Sequence, residues 1–367
     1  MEYKKLEEFL DYIQPTNYIV KSENYSMGYD VPVLTAGQTF ILGYTNEKND
    51  IYYASKDNPI ILFDDFTTAF KWVDFNFKVK SSACKILTPK KNQIIRYVFY
   101  AMQKVKIDNA LHKRYWISLF SQKEIKNPSL DKQQEIVSIL DKINAIIDAD
   151  KKQLELLDEI VKSRFIEMFG DPMLNNKGYK IKTYGDLFEL NAGGTPSKTK
   201  KEYWDNGTIS WIGSNLCQNV ILYENDGKYI TQEGYNHSSA RMFPVDTVLV
   251  ALVGATIGKT ALLKFETSTN QNVLGIRNIK EAGYNPMFVF YHTQFLNDKF
   301  QNIGDGGFNM ASKEFVSKLP IYDAGIDEQN KFALFADQID KLKFNIQQHL
   351  NLMQELLDKK MEEFFGE

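Results

Sequence analysis

The chain carries one long helical pattern twice. Between Leu130 and Asp171, ten positions spaced alternately by four and three residues hold eight apolar side chains, which is the heptad signature of a coiled-coil helix. A shift of 196 positions aligns this segment without a gap with Ile326–Glu367, where the equivalent ten positions again hold eight apolar side chains. An amphipathic helix is marginal in water until its apolar stripe is buried, so the two helices are predicted to pack against each other.

Each apolar stripe is interrupted by an acidic or basic residue near its middle, Asp150 in the first copy and Lys343 in the second. In an antiparallel pair these two residues could meet as one polar layer that fixes the register. The alternative is two separate, exposed polar positions. The sequence leaves both interpretations open.

The segments before each repeat contain short apolar runs separated by turn-forming residues, a pattern typical of mixed α/β domains. Residues 1–128 contain a helical pattern over 94–105 and strand-like runs at Val31–Leu34, Thr39–Leu42, Ile51–Ala54, Ile60–Phe63 and Phe75–Val79. Residues 172–325 repeat this outline, since Tyr184–Leu190 resembles Leu6–Tyr12 and Val248–Val253 resembles Ile60–Phe63. The predicted order is a domain (1–128), a helix (129–171), a second domain (172–325) and a second helix (326–367).

The formal net charge of −3 hides an uneven distribution. Residues 1–128 carry 18 basic and 14 acidic side chains and residues 172–325 carry 15 and 14, whereas the helical segments 129–171 and 326–367 carry 6 and 10, and 5 and 9. A polyanion is attracted to basic surfaces. Nucleic acid is therefore expected to meet the two domains and not the acidic helices.

The sequence favours a cytoplasmic protein. The longest nearly apolar run, Thr247–Gly258, is shorter than the ~20 residues that a membrane-spanning helix needs, and the first residues lack the apolar core of a signal peptide. Cys84 and Cys217 stand apart without a metal-binding motif, which fits a reducing compartment. No membrane partner is expected.

Two segments approach the motifs of nucleotide- or cofactor-dependent enzymes without completing them. Gly254–Thr260, GATIGKT, is one residue short of a phosphate-binding P-loop. Asn285-Pro-Met-Phe288 approaches the catalytic loop of adenine methyltransferases but lacks its second proline, and a helix start with proline in the first turn explains it better. The sequence therefore predicts no nucleotide or cofactor site in this chain.

The acidic residues and histidines do not indicate catalysis more strongly than these two incomplete motifs do. Asp64, Asp65 and Asp74 could belong to a nuclease site, but no matching acidic-x-Lys strand accompanies them, so strand-end turns and structural roles are favoured. The four histidines are scattered along the chain: His112, His237, His292 and His349. We predict neither a metal site nor a catalytic residue.

Basic residues interleaved with aromatic and hydroxyl side chains are the features that suggest binding. Lysines neutralise phosphates, short hydroxyls donate to backbone oxygens, and arginine reads guanine in the major groove. For any single residue a solvated loop with a buried tryptophan is an equal alternative, but the clusters together favour DNA contact. The candidates are Lys71, Trp72, His112, Lys113, Arg114, Tyr115, Trp116, Thr195, Ser197, Lys198, Lys200, Lys201, Tyr203, Trp204, Trp211, Ser238, Arg241 and Lys259.

The order of these motifs resembles the specificity (S) subunit of type I restriction–modification systems over essentially the whole chain. The first domain contributes PVLTAGQTFILGYT, ILFDDFTTAFKWVDF, KSSACKIL and HKRYWISLFSQKEI. The second contributes GGTPSKTKKEYWDNGTISWI, GATIGKT, NQNVLGIR and GDGGFNMASKEF, and the two heptad segments resemble the family's spacer helices. One departure is that the chain enters the first domain almost at once.

The resemblance implies an α/β protein with two similar target-recognition domains, joined by two spacer helices in an antiparallel coiled coil with pseudo-twofold symmetry. Each domain would read one half of a bipartite, asymmetric site on double-stranded DNA. Two methyltransferase (M) subunits would bind the helices, and restriction (R) subunits would join through them. The chain itself would be non-catalytic and hold no cofactor. S-adenosylmethionine, and ATP with Mg²⁺ for restriction, would belong to the partner subunits.

Two other classes of protein remain as alternatives. A homo-oligomeric coiled-coil scaffold with protein-binding domains would lack sequence-specific, strongly salt-dependent DNA binding. A methyltransferase would bind S-adenosylmethionine as an isolated chain, and the missing motifs argue against it.

Overall fold

The computed structural model describes residues 2–37, 39–107, 114–278, 283–303 and 310–366. They form two compact units, residues 1–151 with 348–367 and residues 152–347. Each unit contains one α/β domain and a stretch of both long helices. Among the described helices, none is long and apolar enough to cross a bilayer.

The first unit is built from two sheets and a short strand pair. Its strands are β1 (Tyr3–Lys5), β2 (Leu10–Ile13), β3 (Val31–Leu34), β4 (Ile41–Thr45), β5 (Ile60–Asp64), β6 (Phe70–Val73), β7 (Lys78–Val79), β8 (Cys84–Pro89) and β9 (Glu124–Lys126). They form a four-stranded sheet in the order β2-β8-β5-β6, a three-stranded sheet β4-β3-β7 and the pair β1-β9. The helices are α1 (Leu6–Phe9), α2 (Ile95–Met102), α3 (Tyr115–Ser118) and the start of α4 (Leu130–Phe169).

The second unit is larger and has an additional edge strand in its main sheet. Its strands are β10 (Ile181–Thr183), β11 (Phe188–Ala192), β12 (Ile209–Ile212), β13 (Val220–Leu222), β14 (Tyr229–Ile230), β15 (Met242–Phe243), β16 (Val248–Ala251), β17 (Thr260–Leu263), β18 (Thr267–Thr269), β19 (Val273–Asn278) and β20 (Pro320–Tyr322). The sheets are β11-β19-β16-β17-β13, β14-β12-β18-β15 and the pair β10-β20. The helices are α5 (Tyr184–Leu187), α6 (Gln232–Asn236), α7 (Pro286–Phe295), α8 (Asn297–Gln301), α9 (Lys313–Ser317) and α10 (Ile326–Phe365).

The two domains share the topology that the sequence predicted. The order β2-β8-β5-β6 corresponds to β11-β19-β16-β17, and every neighbouring pair in both is antiparallel. A one-turn helix precedes the first strand in each domain, α1 before β2 and α5 before β11. The predicted equivalence of Leu6–Tyr12 with Tyr184–Leu190, and of Ile60–Phe63 with Val248–Val253, is confirmed.

In the first domain one strand prediction was wrong and two strands were missed. Ile51–Ala54 forms no strand, because only Tyr52 pairs, in an isolated bridge to Phe77. The sequence pattern missed Phe70–Val73 and Cys84–Pro89. In Cys84–Pro89 a fully buried lysine, Lys85, interrupts the apolar run. Its burial is compensated by an ion pair with the distant Asp65 and a hydrogen bond to Gln14 Oε1.

The long helices α4 and α10 are each 40 residues long and end within two residues of the predicted limits. The ten heptad positions of each helix were predicted to form the seam between the two helices, and none of these twenty positions is exposed. In the first unit Leu140 shares a core with Leu357 and Met361. In the second unit the rings of Phe165 and Phe332 lie 5.2 Å apart. The start of α4 meets the end of α10 in the first unit, and the end of α4 meets the start of α10 in the second, so the pairing is antiparallel.

The two polar seam positions do not form the shared layer proposed from the sequence. Asp150 Oδ2 lies 2.8 Å from Nδ1 of His349, while Lys343 Nζ lies 2.5 Å from Asp158 Oδ1. The hypothesis is wrong because of the register: the residue that faces Asp150 lies six positions beyond Lys343 along α10. Each polar position instead has its own partner on the facing helix.

A glutamine in the first turn of each long helix joins that helix to the segment before it. Gln133 Nε2 donates to the carbonyl oxygen of Pro128 at 3.0 Å, and the equivalent Gln329 Nε2 donates to that of Ala324 at 2.6 Å. Both glutamines are about 1% exposed. Each bond satisfies a buried amide group and ties the first turn of the helix to the segment that precedes it.

We expect Phe165→Ala to destabilise the second unit strongly. Phe165 is fully buried and packs its ring 5.4 Å from Phe288 and 5.1 Å from Phe295. Removing such a ring typically costs about 3–5 kcal/mol. Urea denaturation followed by circular dichroism should show this loss, whereas Ile166→Ala, at the exposed neighbouring position, should change stability by less than about 1 kcal/mol. Equal effects of the two changes would contradict the packing described.

Stability should also depend on pH through His292. This residue of α7 is fully buried, its Nδ1 lies 3.2 Å from the Tyr184 hydroxyl, and burial lowers its pKa to about 3. The unfolded chain takes up the proton below about pH 6.5, whereas the folded chain takes it up only near pH 3. Folding stability that is present above pH 6.5 is therefore lost as the pH falls, by up to ~1.4 kcal/mol per pH unit.

The comparison that isolates this effect is wild type against His292→Phe, because carboxylates titrate equally in both. Between pH 6.5 and pH 5 the wild type should lose about 2 kcal/mol more unfolding free energy than the variant. Parallel pH profiles would show that His292 does not titrate in this way.

Candidate nucleic-acid interface

The segment Gly193–Trp204, called the basic loop below, leaves the end of β11 and passes close to the second sheet. The backbone N–H of Gly194 donates to the Thr269 carbonyl at 2.8 Å. A Cβ atom on Gly193 would lie 2.1 Å from Thr269 Oγ1, and one on Gly194 would lie 2.3 Å from the carbonyl carbon of Ser239. Only glycine fits this approach, so the two glycines fix where the basic loop starts.

Two tryptophans support the basic loop from beneath. Trp211 Nε1 donates to the Gly194 carbonyl at 3.0 Å, and Trp204 Nε1 donates to the Ser197 carbonyl at 3.1 Å. The two rings meet edge to face with centroids 5.2 Å apart. Trp211 is only 7% exposed, so the prediction that its side chain contacts DNA is corrected: its role is to shape the loop.

The lysines of the basic loop point outward from this support. Lys198 and Lys201 are exposed, and Lys200 Nζ donates to the Tyr203 hydroxyl at 2.9 Å, a bond that raises the pKa of Lys200. Tyr203 itself is 5% exposed and stacks on the ring of His237 at 6.2 Å. Tyr203 therefore orients a lysine and is not a surface contact, which corrects its prediction.

The predicted hydroxyl and arginine contacts border the same loop. Thr195 Oγ1 donates to Gln271 Oε1 at 2.6 Å, and Ser197 Oγ lies 2.9 Å from Thr199 Oγ1. Ser238 Oγ accepts from the backbone N–H of Ala240 at 3.1 Å and so shapes the turn that leads to Arg241, whose side chain is exposed. The structure brings these groups together around the basic loop.

Lys259 lies in the hairpin between β16 and β17, where its Nζ donates to Gln218 Oε1 at 2.7 Å. Since these two strands are antiparallel neighbours, Gly254–Thr260 joins strand to strand. A P-loop leads from a strand into a helix, so the structure excludes that interpretation. Asn285 likewise caps α7, accepting from the Met287 N–H at 2.9 Å with Pro286 in the first turn, as predicted.

In the first domain, the predicted contact Trp72 instead packs against α2. The Arg96 guanidinium lies 4.6 Å from the Trp72 ring centroid, and Arg96 Nε is paired with Asp141 Oδ1 of α4 at 2.7 Å. Trp72 is half-buried and packs at the joint between the domain and the long helix, and its contact with DNA stays a prediction. Lys71 is half-buried and lies on the opposite face of β6.

Tyr115 and Trp116 are also corrected, because both are core residues at 1% and 2% exposure. Their backbone N–H groups donate to the carbonyl and to Oδ1 of Asp65, each at 2.8 Å. Asp65 in turn forms a buried ion pair with Lys85 at 3.3 Å. The structural role predicted for Asp65 is confirmed, and Asp65 rather than DNA accounts for the position of these aromatic residues.

Asp64 and the remaining predicted DNA contacts of the first domain are placed as follows. Asp64 Oδ1 accepts from the N–H groups of Phe66 and Thr67 at 2.8 and 2.9 Å, which confirms a strand-end turn. Arg114 is exposed. The candidates His112 and Lys113 lie outside the described residues, as does the 304–309 part of the glycine-rich segment.

The two cysteines belong to the domain cores. Burial raises the pKa of Cys84 to about 11 and that of Cys217 to about 12, so both remain protonated thiols at neutral pH. Neither is suited to nucleophilic chemistry.

Comparison with known proteins agrees with this arrangement of two domains and two helices. The profile of the family described as "Type I restriction modification DNA specificity domain" matches residues 1–159 and 176–354. The chain belongs to this family.

Relatives of known identity support the same assignment along the whole chain. The type I restriction enzyme EcoR124I/EcoR124II specificity subunit of Escherichia coli is 37% identical over 382 residues, covering 99% of this chain and 92% of that protein. The putative type I restriction enzyme MjaX specificity subunit of Methanocaldococcus jannaschii is 22% identical over 286 residues, covering 70% and 64%.

Solved structures of such specificity subunits share the fold. The S subunit of the type I restriction–modification system of M. genitalium matches with a TM-score of 0.64 at 11% identity, covering 100% of this chain and 96% of that one. A chain from a structural study of complex assembly and conformational transition of the type I R-M system matches with a TM-score of 0.51 at 12% identity. The match covers 98% of this chain and 96% of that one. The predicted α/β fold with an antiparallel helix pair is thus that of the specificity subunits.

Sequence reasoning missed one polar feature of this specificity-subunit fold. A groove of about 190 Å³, called the polar groove below, lies beside the basic loop and is lined by Glu189, Asn191, Arg241, Phe243, Gly275 and Arg277, among others. Arg277 follows the apolar residues of β19, and a charged residue directly after an apolar run was the available signal. Its neighbours on β11 could not be known before the strand pairing.

Proposed function

We propose that this chain is the non-catalytic subunit that gives a type I restriction–modification complex its DNA sequence specificity. Residues 1–128 and residues 172–325 each serve as a target-recognition domain for one half of a bipartite, asymmetric site. The segments 129–171 and 326–367 are the spacer helices. The observation that carries the proposal is the basic loop, a lysine-rich surface segment held by a buried framework in a member of the specificity family.

The construction of the basic loop fits contact with a DNA backbone. Lys198 and Lys201 are exposed and stand on a base fixed by two glycines and two tryptophans. Proteins that bind DNA place such cations on phosphates to set register, and read bases with other groups. A loop that is already ordered loses little conformational entropy when it binds.

The helices supply the surface on which partner subunits bind in this proposal. In the second unit, large apolar side chains are exposed on both helices although the seam is already filled: Leu156, Ile160 and Ile166 on α4, and Leu334 and Leu342 on α10. Clusters of exposed apolar residues mark sites of protein–protein contact. We infer that two M subunits dock on the helices, with acidic side chains around these positions keeping DNA away.

The chemistry then belongs to the partners. The M subunits carry S-adenosylmethionine and methylate an adenine in each half-site, which they flip out of the duplex. R subunits join through the M subunits and use ATP and Mg²⁺ for translocation and cleavage. The complex acts in the cytoplasm, where host DNA is accessible.

Exchanging one domain should change one half of the recognised site. If residues 173–325 are replaced by those of a relative with a different target, methylome sequencing of the host should show a new second half-site beside an unchanged first one. Exchanging residues 1–128 instead should give the reciprocal result, which serves as the control. An unchanged methylation pattern after either exchange would refute the proposal.

Removing Lys198 and Lys201 together should weaken DNA binding without altering the preferred sequence. Each lost phosphate contact lowers the slope of log K against log salt by about 0.9, so the double alanine variant, assembled with M subunits, should show a slope smaller by about 1.8. Lys318→Ala, at an exposed lysine outside the basic loop and the long helices that is paired with Glu314, is the matched control and should leave the slope as it is. Equal slopes for all three proteins would remove the basic loop from the interface.

A further inference from the structure

The polar groove has a defined floor and an ordered polar wall. Strands β11 and β19 pair with Glu189 opposite Arg277 and Asn191 opposite Gly275, so these four residues occupy one face of the sheet. A Cβ atom on Gly275 would lie 2.3 Å from Cε1 of Phe243. The absence of a side chain at Gly275 therefore lets Phe243 form the floor.

The wall of the polar groove is a small hydrogen-bonded network. Glu189 uses one carboxylate oxygen to accept from Arg277 Nη2 and the other to accept from Asn191 Nδ2, the latter at 2.7 Å. Arg277 and Glu189 remain 52% and 44% exposed, and ion pairs so exposed add little to stability. The network instead holds the Arg277 guanidinium and the Asn191 amide in fixed positions against Glu189 in the lining of the polar groove.

The groups presented there are those that read base edges. An arginine fork donates to O6 and N7 of guanine, and an asparagine amide bonds N6 and N7 of adenine. Arg241, a predicted contact, lines the same groove. Its position is tied to the basic loop, since the backbone of Gly194 lies directly against Ser239, two residues before Arg241.

We propose that Arg277, oriented by Glu189, reads base edges in the half-site of the second domain, together with Asn191 and Arg241. This inference rests on the proposed function and divides DNA recognition between two surfaces. The lysines of the basic loop hold phosphates, and the polar groove selects the sequence.

The first domain carries different chemistry at the same place in its fold. There β2 pairs with β8, with Asp11 opposite Thr88 and Ile13 opposite Ile86. Thr88 stands where the second domain has Arg277, and Ile13 where it has Asn191. An arginine fork is thus present at this position in one domain and absent from it in the other, so the position selects different bases in the two half-sites.

The test uses the full chain assembled with its M subunits and a library of randomised DNA duplexes, with methylated products sequenced. Arg277→Ala should relax the preference at one or two positions of the second half-site and weaken binding to the preferred duplex about tenfold or more. Arg277→Lys, which keeps the charge beside Glu189 but loses the fork, should relax the same positions. The slope of affinity against salt should change by less than in the basic-loop variant.

Lys182→Ala provides the matched control. Lys182 of β10 forms an ion pair through its Nζ with Oδ2 of Asp323, the residue after β20, at 3.1 Å, and both side chains are about one-third exposed. Its removal should leave the base preference unchanged. If Arg277→Lys and Arg277→Ala behave like this control in a wild-type complex that is sequence-specific, the polar groove is only a surface ion pair and the inference is overturned. A wild-type complex without any base preference would overturn the proposed function itself, and this assignment with it.

Discussion

The burial of two apolar stripes is the constraint on which the rest of the structure depends. Helices α4 and α10 are amphipathic along 40 residues each, and a helix of that kind is held by packing and not by its own propensity. In each unit, the stripe of one helix is covered partly by the other helix and partly by the α/β domain. The helix pair and the domain of a unit therefore share one hydrophobic core. In the second unit, Phe165 of α4 belongs to the same cluster as Phe288 of α7 and Phe332 of α10.

Polar groups at the joint between a domain and its helices add directional contacts to this packing. In the first unit Asp141 of α4 accepts hydrogen bonds from Arg96 and Tyr100 of α2, and the Arg96 guanidinium covers the ring of Trp72. The domain is thus fixed to its helix by directional contacts as well as by apolar packing, which suits a protein that must hold a reading surface in place.

The sequence was informative where a pattern is periodic and local. Heptads defined both helices to within two residues because their period is independent of distant partners. It failed where burial is decided by a partner far along the chain. Lys85 looks like a surface residue until Asp65 neutralises it, and Tyr115 and Trp116 look like a basic-aromatic contact until Asp65 binds their backbone. The Asp150–Lys343 layer failed for a related reason, since heptads give the seam positions but not the register between two helices.

The same contrast, between local sequence patterns and contacts of residues far apart in the chain, separates the basic loop from the polar groove in the second domain. The basic loop is visible in the sequence because phosphate contact needs only charge, and charge clusters locally. The polar groove is not visible, because Glu189 and Arg277 are 88 residues apart and meet only through strand pairing. Base reading needs donors and acceptors held at fixed angles, and a sheet supplies such angles better than a loop does. Under the proposed division between the two surfaces, a specificity subunit keeps one general mode of holding DNA while substitutions at a few paired strand positions change what it reads.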